Sequence, residues 1–150
     1  MKGPMYKFLT IALLAGLPST SRAVDFDFSL GWGTQYGLIG TQLAVNHNDS
    51  KYYVSLGLPS ASVGIKTQFE EDKNKSWGGN VGKIFGIFSS DINFASLNYN
   101  YHFNGFHNSG WEIGLGISYV QQDSYTPWGS SEQTEDRKGP GLSISLGYSF

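Results

Sequence analysis

His107-Asn108-Ser109 sets a potential general base two positions from a potential nucleophile. An imidazole that accepts a serine proton makes that oxygen able to attack an ester carbonyl, and a third group normally orients the imidazole. Asn104-Gly105, a pair that readily takes positive φ, opens a turn just upstream. The one acid close downstream is Glu112. With the third group of the triad missing, the pair reads as a turn that contains His and Ser. Asp25 and Asp27 share one face of an alternating segment and could form a carboxylate pair or a cation ligand set. Their plainer reading is as strand-end groups in water or as partners for a buried lysine. His102 near Asn98 and Asn100 reads as a hydrogen-bonding residue, since no second His or Cys follows at ligand spacing. No catalytic residue, metal ligand or cofactor is assigned.

The His-x-Ser pair also resembles that of outer-membrane lipid A deacylases. In that family the two residues lie on a strand, and an acid well downstream orients the histidine. Here the pair lies in a turn, Glu112 is too close for the family spacing, and Gln121 stands about where the acid would fall. A lipid A-modifying enzyme is therefore an alternative, not the principal reading.

The elements that position these groups follow from a period of two. Side chains at i and i+2 of a strand share a face. In Gly141–Phe150, Leu142, Ile144, Leu146, Tyr148 and Phe150 alternate with Gly and Ser alone. The same alternation runs through Val24–Trp32, Tyr36–Asn46, Lys51–Leu58, Ala61–Glu70, Gly79–Phe88, Ile92–Phe103 and Trp111–Gln122. Eight strands are predicted, each near the ~9–11 residues that a tilted strand needs to cross a bilayer. Within Ile92–Phe103 the phase slips, and a β-bulge near Ala95-Ser96 is expected to restore one apolar face. Glu71–Ser76 reads as a solvated connection, and Asp123–Pro140 as a long polar loop.

Lys2 and Lys7 precede the apolar run Phe8–Leu17, and small residues at Ser21 and Ala23 follow. This is the three-part form of a secretory signal peptide, residues 1–23, cleaved after Ala23, ahead of a single β-barrel domain at 24–150. The apolar run is too short for a membrane-spanning helix. Removing Lys2, Lys7 and Arg22 from 10 Lys+Arg leaves 7 against 12 Asp+Glu, a net charge of −5. That balance argues against a nucleic-acid partner. With no cysteine, disulfides, thiolate metal sites and acylation on Cys are excluded. Charged residues make up 15%, against about 25% in soluble domains. A charge-poor chain with 20 Gly and 15% aromatics suits a barrel with its apolar half toward lipid.

The alternation, the spacing Gly141-x-x-Ile144-x-Leu146, and the final Tyr148 and Phe150 resemble the C-terminal strand of bacterial outer-membrane β-barrels. That resemblance implies an all-β, antiparallel up-and-down transmembrane β-barrel of the small OmpA/OmpX type. It also implies that the barrel-assembly machinery reads Gly141, Ile144, Leu146, Tyr148 and Phe150, and that outer-membrane lipid surrounds a monomer. A soluble periplasmic or secreted barrel around an apolar ligand alternates equally well, with its apolar face inward. The polar faces favour the membrane form, because Gly and Ser suit a narrow interior and not a charged exterior. Asp25, Asp27, Lys66, Glu70, His102 and Glu112, with Gln68, Asn98 and Asn100, are then expected to form an interior polar network. In it Lys66 would meet a carboxylate. The expected role is structural or interactive, without catalysis.

Overall fold

A computed structural model of the protein describes residues 25–86, 90–124 and 135–150. The predicted signal peptide, residues 1–23, lies outside the described residues. Seven strands form one closed barrel: β1 (Asp25–Gly33), β2 (Leu38–His47), β3 (Ser50–Gln68), β4 (Lys75–Ile84), β5 (Ile92–His102), β6 (Gly110–Gln122) and β7 (Arg137–Ser149). Each strand pairs with its neighbours in sequence, and β7 closes the ring on β1 from Ser29↔Ser149 to Gly33↔Ser145. The barrel is all-β, antiparallel and up-and-down.

Seven strands correct the expected eight. The predicted strands Lys51–Leu58 and Ala61–Glu70 are parts of one 19-residue strand, because pairing passes without a gap from the β2 ladder, which ends at Pro59, to the β4 ladder, which begins at Ser60. Pro59 pairs with Leu38 of β2, and Ser60 pairs with Ile84 of β4. β3 nevertheless doubles back. The Gln68 N–H donates to Asp49 O at 2.8 Å, and the Ser50 and Thr67 hydroxyls lie 2.9 Å apart. The reversal falls at Leu58–Pro59, whose peptide bond is cis. All neighbouring pairs in the ring, β1 with β7 included, are antiparallel. Directions that alternate around a closed ring require an even number of passes, and β3 supplies the extra one.

The expected bulge in β5 is also overturned. The ladders from Ile92↔Ile84 to Tyr101↔Lys75 and from Ile92↔Gln122 to His102↔Glu112 skip no residue. The apolar phase changes because Phe94 turns into the lumen, where it is 5% exposed. Gly82 and Ser62 leave the space its ring occupies: a Cβ on Gly82 would meet Phe94 Cζ at 2.5 Å.

Between β1 and β2, Thr34–Tyr36 forms a 3-10 turn folded into the lumen, so Tyr36 is not part of β2 as expected. Gly33 (φ 109°) and Gly37 (φ 70°) make the inward and outward bends, conformations open to glycine at little cost. The Tyr36 ring, fully buried, lies over Gly31 and Gly147, where no side chain competes for space. The turn's carbonyls are satisfied by the wall. Thr34 O accepts from Ser62 Oγ and Asn80 Nδ2, each at 3.1 Å. Gln35 O accepts from Ser55 Oγ at 2.6 Å and Gln42 Nε2 at 2.8 Å. Buried backbone acceptors without such partners would cost about 1–3 kcal/mol each.

Candidate functional site

The lumen gathers residues from every side of the ring. Lys66 on β3, 2% exposed, places Nζ 2.6 Å from Glu112 Oε1 on β6. The other Glu112 oxygen lies 3.1 Å from His102 Nδ1 on β5, and His102 Nε2 lies 2.9 Å from Ser76 Oγ on β4. Asn100 Nδ2 donates to the same Ser76 oxygen at 3.4 Å. Lys66 Nζ also donates to Gln42 Oε1 at 3.3 Å and sits over the rings of Tyr36 and Tyr53, about 5 Å from each centroid. Gln35 Nε2 donates to Asn100 Oδ1 and Ser145 Oγ, both at 2.7 Å, joining the 3-10 turn to β5 and β7. A second ion pair, Lys51 with Asp27, lies between β3 and β1. Phe106, 1% exposed, stacks edge-on against His102 with centroids 5.0 Å apart, and Lys51 Nζ lies over its ring at 4.7 Å.

The expected network is thus partly assembled. Lys66, His102 and Glu112 meet at one point, and Lys66 does find a carboxylate. Asp27 stands apart with Lys51. Two expected members are elsewhere: Asp25 is exposed and accepts from Asn46 Nδ2 at 3.3 Å, and Glu70 is exposed just past the end of β3. Both lie at strand ends, where alternation no longer decides which face a side chain takes. Ser76, the last residue of the expected solvated connection, is instead fully buried in β4. Gln35, Tyr36 and Phe106 were missed because they arrive from connections, which no strand period describes. Glycines facing one level of the lumen at Gly31, Gly114 and Gly147 were the available signal, because a wall without side chains needs filling from elsewhere.

Ser76, His102 and Glu112 carry the hydrogen-bond order of a hydrolytic triad. Hydrolysis further needs a nucleophile that meets substrate, and Ser76 is walled in by its neighbours in the filled lumen. Glu112 is also committed to Lys66. The arrangement is a buried polar network in which Lys66, Glu112, His102, Ser76 and Asn100 are each bonded to another member. His107 and Ser109 are exposed in the β5–β6 connection, which Asn104 and Asn108 shape through 2.9 and 2.7 Å bonds to Ser109 O and Asn104 O. Glu112 points away from them into the lumen. Among the described residues, no group of three or more His, Asp or Glu is arranged to hold a metal ion.

The outer wall reverses the polarity. Strand pairing aligns its side chains in rows around β4–β7. Lys83↔Asn93, Asn93↔Gln121 and Gln121↔Lys138 make a polar row. The next is Val81–Ala95–Tyr119–Pro140, and the one beyond it Gly79–Leu97–Ile117–Leu142. At the far rim is an aromatic girdle: Trp111 and Tyr148 at 5.4 Å, Tyr148 and Phe150 at 5.1 Å, Phe28 and Phe150 at 5.9 Å, and Tyr101 and Phe103 at 5.2 Å. From Tyr119 to Trp111 on β6, and from Pro140 to Phe150 on β7, the apolar stretch matches the ~9–11 residues of a bilayer-crossing strand. On β4 it is shorter, Trp77–Val81, between Lys75 and Lys83. Of the residues expected to carry an assembly signal, Ile144, Leu146 and Phe150 are exposed on this wall. Tyr148 joins the girdle, and Gly141 lies opposite Ser118. Comparison with protein-family models, with curated proteins and with solved structures finds no match.

Proposed function

We propose that the protein is a small monomeric outer-membrane β-barrel of structural or interaction type, without catalytic activity and with lipid around its wall. In this reading residues 1–23 are removed on export. The barrel-assembly machinery reads the β7 pattern of Gly141, Ile144, Leu146, Tyr148 and Phe150. One observation carries the proposal: polar and charged groups fill the inside of the ring, while large apolar side chains from Phe26 to Phe150 cover the outside. A protein in water rarely exposes a contiguous apolar patch beyond a few hundred Å². A soluble barrel with an apolar ligand needs the reverse, and this lumen is occupied by its own side chains. An aromatic girdle at one rim and outward amides and lysines at the other suit the two interfaces of a bilayer.

Cysteine labelling tests the reading, since the chain has no cysteine of its own. In cells, Ile117→Cys and Ile144→Cys should react with a lipid-soluble maleimide and resist a charged one, while Ser109→Cys reacts with both. The protein should sediment with outer membranes and shift its gel mobility on boiling. A mature protein in the soluble fraction, with cysteines 117 and 144 open to the charged reagent, would overturn the proposal.

A further inference from the structure

Two grooves on the outer wall join at Val54, Val63 and Val81. The larger runs between rows of apolar side chains, and its wall is low at Gly79 and Ala95, where the outward side chain is absent or a single methyl. The smaller leads from the same three valines to Lys83 and Asn93, in the polar row. One continuous depression is therefore apolar along its length and closes on an ammonium and an amide. Lys83 Nζ is held at 2.7 Å by Asp91, with both side chains about 40% exposed. Exposed pairs of this kind contribute only about 0–1 kcal/mol, so the ammonium can exchange its carboxylate for another anion. Lys138, further along the same row, adds a second exposed cation.

We propose that this depression is a binding site for a phosphate-bearing lipid, with an acyl chain over Gly79 and Ala95 and the phosphate against Lys83 and Asn93. The occupant is defined by both ends of the groove: a hydrocarbon alone leaves Lys83 and Asn93 unused, and a free phosphate leaves the apolar run empty. The inference rests on the membrane reading and adds a preferred lipid at one place on the wall. Bulk lipid would cover the whole belt without such a preference.

Native mass spectrometry of the folded mature barrel in neutral detergent tests it. The probes are dimyristoyl phosphatidic acid, the matching diacylglycerol and inorganic phosphate. The intact lipid should remain bound where neither half does. Lys83→Gln should weaken binding roughly tenfold or more, as loss of a charge-assisted hydrogen bond does. Lys73→Gln, the same charge change on an exposed connection at the other rim, should leave it unaltered. Ala95→Leu, which fills the groove floor from an exposed position, should also reduce occupancy. Equal affinity in Lys83→Gln and Lys73→Gln, or equal retention of diacylglycerol, would overturn the site, as would binding of inorganic phosphate alone or formation of a dimer that hides the groove. Heat-modifiable mobility confirms folding of each variant. A barrel that inserts into bilayers but shows no lipid preference sinks this inference alone; a barrel that does not insert sinks the membrane reading.

Discussion

Along β7, neighbouring residues obey opposite rules. Ser143 and Ser145 are buried among hydrogen-bonding partners, while Leu142 and Ile144 beside them are exposed, Leu142 by 85%. On the lumen side a residue is judged by whether its polar atoms are satisfied. On the wall side it is judged by whether it has any polar atoms to satisfy. The strand is the same; the side chains that its two faces carry differ. Core and surface are exchanged in this molecule, so substitutions that are ordinarily mild or severe should exchange as well.

The largest effect is expected where the lumen is most charged. Glu112→Leu strands the Lys66 ammonium and removes the partner of His102, and loss of one member of a buried pair costs about 3–5 kcal/mol. Lys66→Met combined with Glu112→Leu should recover much of that loss, as read from urea unfolding in detergent. A double variant no better than the single would mean that the pair does not act as a unit. Next comes the wall. Ile117→Arg and Ile144→Arg should each cost roughly 2–4 kcal/mol on folding into lipid vesicles, whereas Ser118→Ala, on the lumen face, should change little. Equal losses in lipid for all three would erase the distinction between the two sides.

A smaller effect tests the fit of the 3-10 turn. Gly147→Ala places a methyl within the Tyr36 ring, and overpacking of this kind costs about 1–3 kcal/mol. Tyr36→Leu should partly rescue it, whereas a stability unchanged by Gly147→Ala would show that the ring does not press on this wall. The smallest effect lies at the rim. The Lys83 ammonium, and then the Gly86 N–H, hold the exposed Asp91 carboxyl below its usual range. A depressed folded-state value contributes stability above the ordinary carboxylate range and loses it as pH falls through the depressed value. Acid titration of Lys83→Met should show a slightly flatter loss between those limits, and high salt should remove the difference.

The wall was legible in the sequence because apolar side chains recur at every second residue of most strands, from Phe26 to Phe150, and a strand alternates its faces. The ring's direction and the union of Lys66 with a carboxylate followed from the same period. What fills the lumen was not legible. Tyr36 and Phe106 enter from connections, and Phe94 breaks the wall's pattern to complete the lumen's. Two expected strands became one because the turn at Pro59 leaves no unpaired residue: the ladder to β2 ends at Pro59 and the ladder to β4 begins at Ser60. Ser76 was misread for a related reason: a run of charges marks a connection but not the residue at which pairing resumes.

The reversal within β3 has a consequence for how a barrel of this kind can be resized. One added pass would leave two neighbours parallel, and a parallel seam needs a crossover of about a dozen residues or more, longer than the connections after β1, β2, β3, β4 and β5. The ring can therefore grow or shrink only in steps of two. β3 already is such a step: it leaves one rim at Ser50, turns at Leu58–Pro59 and returns at Gln68 beside Asp49. Duplicating it would widen the ring while keeping every seam antiparallel. The lumen would then outgrow Tyr36 and Phe106, and a filled cylinder would become a conduit.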